Sequence, residues 1–368
     1  MKNMSIKLGD HTLKQSDCEP HLGGVLATSL KASKEYILER IKSCQHMCYA
    51  AQSLGSSIIP VTPTILSKIY QKACIPKLCY AMEIVQFSEE LTSELEEFHK
   101  KNAKLFQGLS SNTANVGALK TIGWNSIKSY IEIMKMMFLW RLLLLPMSSW
   151  YKQIVIRLVE GHSRGCNQSS GPIQSIVEVC QKYELMNIIL AAMHTGCYEM
   201  VQDLKKIIIS KVKDHDEMES RVNTMMYRSL QLVDIKDWRS VGWWCFAKKY
   251  PWQVNKCRVI VRLLLNSYRL GTVVCPLCMC GQTNDIVHIL FQCQAIECKR
   301  KVLLAEIYDV APGALRADLE EMSMSVKTEY FLNALKCDFI CEWTDLYNAV
   351  IRFVILLYKE YESLCTLR

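Results

Sequence analysis

Cys275, Cys278, His288 and Cys293 are spaced Cys-x2-Cys-x9-His-x4-Cys. Thiolate sulfur and imidazole nitrogen are the donors that Zn2+ gathers in a tetrahedral shell, and a Cys-x2-Cys turn lets two sulfurs converge on one ion. Pro276 sits inside the first pair and Gly281 eases the return of the chain. The turn 281–285 then leads into an apolar run, Ile286, Val287, Ile289, Leu290 and Phe291, around the histidine. This pattern reads as a turn followed by a helix. Four protein ligands leave no position for water or substrate, so the expected ion, Zn2+, is structural and a zinc hydrolase is disfavoured. Two neighbours keep the ligand choice open: Cys280 could replace Cys278, and Cys298 could replace Cys293.

The segment that must hold this array carries most of the chain's charge asymmetry. Between residues 236 and 301 stand eleven cations, Lys236, Arg239, Lys248, Lys249, Lys256, Arg258, Arg262, Arg269, Lys299, Arg300 and Lys301, against only Asp237, Asp285 and Glu297, a local excess of +8 that equals the excess of the whole chain. A basic stretch around a metal site is the footprint expected of something that meets phosphate. At 100° per residue, Arg258, Arg262 and Arg269 of a helix over 254–270 fall within about 40° of one another. Val254, Cys257, Ile260, Val261, Leu264 and Leu265 are expected to bury, leaving the arginines outward as a phosphate-binding face. Lys256, Lys299, Arg300 and Lys301 are expected to join that surface. Tyr250, Trp252 and Tyr268 flank it and are read as core or rim residues with base stacking as the alternative. The acidic run 214–217 reads as a solvated helix end.

A chain of 368 residues with 50% hydrophobic and 22% charged residues buries a sizeable core and suggests two or three domains. No apolar leader follows Met1, so a reducing compartment is expected, cytoplasmic and/or nuclear. Cys44, Cys48, Cys74, Cys79, Cys180 and Cys197 lie in apolar surroundings, where free thiols behave as small buried hydrophobes. Residues 131–147 contain Glu132, Lys135, Arg141 and Pro146, and 349–358 is short with Arg352 inside it, so neither reads as a membrane span and no membrane partner is expected.

Short alternation over 5–27, with a turn at Gly9-Asp10 and a second strand over 21–27, reads as a small hairpin region. From about residue 33 the period becomes helical. Pro76 is expected to kink or end the second helix. Leu91, Leu95, Phe98 and Leu105 should face inward on a helix that Gly108 stops, and the Gly/Ser-rich stretch 160–172 reads as a linker. The expected fold is mainly α and multi-helical, with a short N-terminal β-hairpin and a small zinc-knuckle module near the C-terminus. Its expected segments are a hairpin at 1–27, a helical domain at 28–160, a linker and helical segment at 161–245, the basic helix with its knuckle at 246–305, and C-terminal helices at 306–368.

The order of these parts resembles a known family. Ser5-Ile-Lys-Leu-Gly-Asp10 with His21-Leu-Gly-Gly-Val-Leu26, Ile69-Tyr70 leading to Pro76-Lys-Leu-Cys-Tyr80, the run from Leu95 to Phe106, and Arg262-Leu-Leu-Leu265 ahead of the Cys/His array together resemble the region after the palm in reverse transcriptases of LINE-type (non-LTR) retrotransposons. The resemblance covers most of residues 5–300. It implies a primer-grip hairpin, a helical thumb, and an arginine-rich helix leading into a CCHC knuckle. RNA and/or DNA are then the expected partners, together with an upstream polymerase palm in a longer frame. This chain contains no Asp-Asp pair, has His21 where the grip usually carries an aromatic, and lacks a Pro-Asp…Lys arrangement over 302–368. Polymerase and nuclease activities are therefore not expected of it. The competing expectation is a helical protein-interaction scaffold stabilised by structural zinc.

Overall fold

A computed structural model of the chain describes residues 6–8, 11–13, 18–21, 24–27, 30–54, 60–84, 89–165, 171–195, 198–227, 230–233, 241–268, 270–271, 273–278, 280–334 and 342–366. Sixteen α-helices make these residues mainly helical. Ahead of them Ile6–Leu8 pairs antiparallel with His11–Leu13, and Cys18–His21 with Gly24–Ala27. The stretch 21–27 is thus two strands rather than one, with His21 and Gly24 as the last pair of the ladder. The Gly9-Asp10 turn, Cys197 and Arg269 lie outside the described residues.

The helices form two compact units, each assembled from separated stretches of chain. The first comprises Met1–Tyr49, Gln71–Phe98 and Ile127–Val212, and the second Ala50–Tyr70, His99–Ser126 and Lys213–Arg368. The stretch 160–172 lies inside the first unit, where the flanking helices Trp150–Ser163 and Pro172–Lys182 pack on each other. Residues 166–170 of this stretch lie outside the described residues.

In the first unit, Ile37, Cys44, Leu78, Cys79, Leu95, Ile127, Val159, Ile176 and Cys180 are buried. Burial pushes the Cys79 and Cys180 thiols up to about 12, so both stay protonated apolar groups, as their surroundings in the sequence suggest. Pro76 does not end its helix. It enters the first turn of Ile75–Cys79 directly after a π-helical turn at Tyr70–Cys74. Proline lacks an N–H and crowds the carbonyl four residues back, and the wider turn accommodates both.

In the second unit, Tyr70 and Trp124 stack at 4.5 Å, His99 stacks on Trp124 at 4.8 Å, and Phe106 meets Trp124 edge-on. The buried His99 uses both ring nitrogens: Nδ1 with the Tyr70 hydroxyl at 3.0 Å and Nε2 with the Asn125 carbonyl at 2.8 Å. A carbonyl only accepts, so Nε2 carries the proton and Nδ1 accepts from Tyr70. Leu105 is exposed, against expectation, because the buried stripe at this end of Glu89–Gln107 passes through His99, Asn102, Ala103, Phe106 and Gln107. Gln107 is saturated, donating to the carbonyls of Ala103 and Ala118 and accepting from Thr121 and the Trp244 indole. It fixes the helix Gly242–Lys249, which leads to the basic segment.

Candidate metal centre and its basic surroundings

The chain approaches the Cys/His array through Val254–Leu264, whose expected buried residues Val254, Cys257, Ile260, Val261 and Leu264 are all in the core together with Leu265. A short antiparallel bridge between Val274 and Thr283 then closes the knuckle, supported by the Cys275 amide on the Gln282 carbonyl at 3.0 Å and the Asn284 amide on Val273 at 2.8 Å. Gly281 turns this loop with φ +69°, a conformation that costs glycine little. Asp285 opens the helical turn by accepting the His288 amide at 2.9 Å.

His288 and Cys293 are five residues apart, which on an α-helix would place them about 140° out of register. The turn His288–Gln292 is π-helical, and the Cys293 amide bonds the His288 carbonyl at 2.7 Å. Such a bond brings residue i+5 round by one full turn, so histidine and cysteine face the same point. This backbone is what makes His-x4-Cys a usable ligand spacing.

The ligand atoms of Cys275, Cys278, His288 and Cys293 all lie within 4.8 Å of one another, and all four residues are buried. Cys275 Sγ stands 3.9 Å from Cys293 Sγ and Cys278 Sγ 3.2 Å from His288 Nε2. A tetrahedral ion with metal–sulfur bonds of about 2.3 Å sets its sulfurs about 3.8 Å apart, so the cluster can hold a metal ion with little adjustment. Of the expected alternatives, Cys280 is exposed, yet its Sγ lies 2.8 Å from Cys278 Sγ and 3.9 Å from His288 Nε2, a position from which it can stand in for Cys278 but not share a tetrahedral shell with it, and Cys298 is exposed on the following helix.

Supporting contacts suit the donor set. Burial pushes the Cys275 thiol up, but hydrogen bonds from Tyr361 and the amides of Cys278 and Leu277 outweigh it and leave the group below its usual range, as a thiolate ligand requires. Tyr361 OH lies 3.5 Å from Cys275 Sγ. Cys293 is pushed up to about 12 by burial, so an entering ion must displace its proton. Gln282 Oε1 faces His288 Nδ1 at 3.4 Å, which favours the tautomer with Nε2 free to ligate. No spacing rule singles out Gln282 or Tyr361 in the sequence; only the fold brings them to the ligands.

The basic residues are placed differently from expectation. Arg262 Nε donates to the Gly108 carbonyl at 2.7 Å, and Arg258, half-buried, bonds Asn255 through Nη1 at 3.0 Å. Gly108 ends Glu89–Gln107 in the left-handed region with φ +65°, and a Cβ there would meet both guanidinium side chains at 3.4 Å. Arg262 is therefore bonded at the negative end of a helix dipole with Arg258 beside it, and both are half-buried rather than pointing fully outward. Helix geometry explains this placement. Val254 falls within about 40° and Leu265 within about 20° of Arg258, so the buried arc reaches the arginine face.

Arg300 is not on the expected surface either: it is buried, its Nε donates to the Leu290 carbonyl at 2.8 Å and its Nη2 to the Cys293 carbonyl, and it fastens the end of the π turn. Lys299 pairs with Glu360 at 2.6 Å and Lys301 with Glu297 at 2.7 Å. Lys256 is exposed, as are Lys248 and Lys249. Tyr250 and Tyr268 are half-buried as rim residues, while Trp252 is 65% exposed. Within the acidic run, Asp216 is buried rather than solvated, and ligand atoms of His215, Asp216 and Glu219 lie within 4.8 Å of one another.

No described helix is long and apolar enough to cross a membrane. No family model, curated protein or solved structure matches the chain.

Proposed function

We propose that this chain is a nucleic-acid-binding module of reverse-transcriptase descent, the non-catalytic part that follows the palm in LINE-type elements. In this reading, Zn2+ held by Cys275, Cys278, His288 and Cys293 orders its basic end. The N-terminal strand pairs correspond to the primer grip, and an upstream palm in a longer frame supplies the chemistry. In this reading the chain itself performs no phosphoryl transfer, since it carries no adjacent Asp-Asp pair of the kind a polymerase palm uses to hold metal ions. When bound, Zn2+ contributes folding energy and no catalysis, since four buried protein ligands fill its shell.

The observation that carries the reading is that Lys248 and Lys249 at the end of Gly242–Lys249, Trp252 in the following turn, and Lys256 on Val254–Leu264, the helix that leads to the Cys/His cluster, are all exposed. Arg258, Arg262 and Arg300 support that mount and are withdrawn from the proposed phosphate contacts. Three phosphate contacts give a logarithmic salt slope of about −2 on single strands. Fluorescence anisotropy of labelled oligonucleotides across a salt series measures it. Binding that weakens with this slope supports the proposal, and a flat response or no binding rejects it.

One observation favours the scaffold alternative. Met218, Val222, Met225 and Met226 follow helical spacing on Tyr198–Met226 and are all exposed, an adaptable apolar stripe of the kind that docks proteins. Retention of a protein partner by a Lys248→Gln, Lys249→Gln, Lys256→Gln variant, with no oligonucleotide bound by the parent chain, would establish that alternative.

A further inference from the structure

We infer that Trp252, flanked by Lys248, Lys249 and Lys256, is a stacking platform for an unpaired base of a single-stranded nucleic acid, an inference that rests on the nucleic-acid-binding reading above. Trp252 lies in the turn Pro251–Gln253 between Gly242–Lys249 and Val254–Leu264. Most of its indole faces water, whereas Trp124, Trp243 and Trp244 of the same unit are buried. Exposure of so large an aromatic forgoes its burial energy, and a face left open beside cations suits a flat, anionic partner.

The platform has a rigid support. Tyr250 meets Trp252 at 5.5 Å with rings 71° apart, and is itself held by Phe246 at 4.8 Å and by its hydroxyl on Thr344 at 2.8 Å. Gln253, the next residue, reaches Asn348 on the same C-terminal helix. Lysines stand on both sides in sequence: Lys248 and Lys249 end the preceding helix, with the Lys249 ammonium 5.3 Å over Tyr250, and Lys256 follows Trp252 by four residues. Trp150, at 78% the more exposed indole, lacks this setting, since the neighbouring Lys152 turns inward onto the Leu145 carbonyl.

The chemistry selects the strand type. Stacking needs a base whose face is free, and in a duplex the neighbouring base pairs cover both faces, while phosphate attraction acts on either form. The indole therefore confers preference for single strands, and the lysines confer affinity for both.

The test uses the full chain and one labelled oligonucleotide, presented single-stranded and as its duplex. Trp252→Ala is expected to weaken single-strand binding by about 5- to 150-fold, the range of one lost base–aromatic stack, with duplex affinity within about twofold. Trp252→Phe, which keeps an aromatic face, is expected to retain most of the single-strand affinity and controls for folding. Unchanged single-strand affinity in Trp252→Ala, or equal losses on both forms, overturns the stacking role. If Lys248→Gln, Lys249→Gln, Lys256→Gln still weakens both forms, the broader reading stands. No binding by the parent chain rejects both readings.

Discussion

Replacing Cys293 by alanine tests the assignment of the metal ligands most directly. Cys293 is fully buried, its Sγ lies 3.9 Å from Cys275 Sγ, and its amide closes the π turn on His288. Structural zinc contributes about 10–16 kcal/mol of apparent binding energy in small modules. Divided evenly over four ligands this is about 2.5–4 kcal/mol for one cysteine, or roughly 10²- to 10³-fold in metal affinity. Cys280 is poorly placed to compensate, because its sulfur stands only 2.8 Å from Cys278, a ligand still present in the variant. The Cys280→Ala variant should hold metal within about twofold of the parent. Metal content after gel filtration, followed by competition against a chromophoric chelator, measures both variants. Loss of metal from Cys280→Ala with retention in Cys293→Ala would falsify the ligand set and place Cys280 in the shell.

Three further expectations follow from particular contacts. His99 is fully buried and held down to about 4, chiefly by burial, against an ordinary value of 6.5. The unfolded chain therefore takes up a proton that the folded chain refuses. The linked stability is complete well above pH 6.5 and falls by roughly 3 kcal/mol as pH drops toward 4; urea unfolding at pH 7.5 and 5 should show about 2 kcal/mol of this loss, and His99→Gln should remove its share. Gln282→Ala should weaken metal binding about tenfold, the lower end for an outer partner, because its contact with His288 is long at 3.4 Å; unchanged affinity in the chelator competition would count against the tautomer argument. Arg300→Met leaves two buried carbonyls without their donor and should lower stability by about 2–4 kcal/mol while sparing oligonucleotide affinity of the folded protein; the opposite pattern, intact stability with lost affinity, would return Arg300 to the phosphate surface.

The convergence of Cys275, Cys278, His288 and Cys293 into a cluster that can hold a metal ion was legible in the sequence because coordination chemistry restricts residue type and spacing together, and chance seldom meets both. The helical character was legible for the same kind of reason, since buried Cys257, Ile260 and Val261 recur at helical period. Failures arose where position depends on what lies across the contact. Periodicity assigns Arg258 and Arg262 an angle on their helix but not the Gly108 carbonyl that covers that angle. Arg300 counts as +1 in a charge tally, although two buried carbonyls engage it. Leu105 fits an inward stripe until polar His99, Asn102 and Gln107 are found to occupy the core. A buried polar residue announces itself only through its partners, and these lie far along the chain, as Trp244 does from Gln107. The interleaving of the two units was invisible for the same reason.

The C-terminal helix Thr344–Thr366 sets the relation between the metal cluster and the proposed binding surface. Thr344 at its start holds the Tyr250 hydroxyl, and Tyr361 near its end touches Cys275. At 1.5 Å per residue these two contacts stand roughly 25 Å apart along the helix axis. A metal ion at the cluster is therefore not beside a base stacked on Trp252, and it need not contribute its charge to binding there. Its influence must pass through the order of this helix and of Val254–Leu264 packed against it. Metal removal and mutation of the lysines should thus weaken oligonucleotide binding by different routes. The first lowers the folded fraction and leaves the salt slope of the remaining binding unchanged, whereas the second reduces the slope itself. Measuring slope and affinity together separates a structural metal from one that takes part in recognition, because a recognition ion would alter the slope when removed.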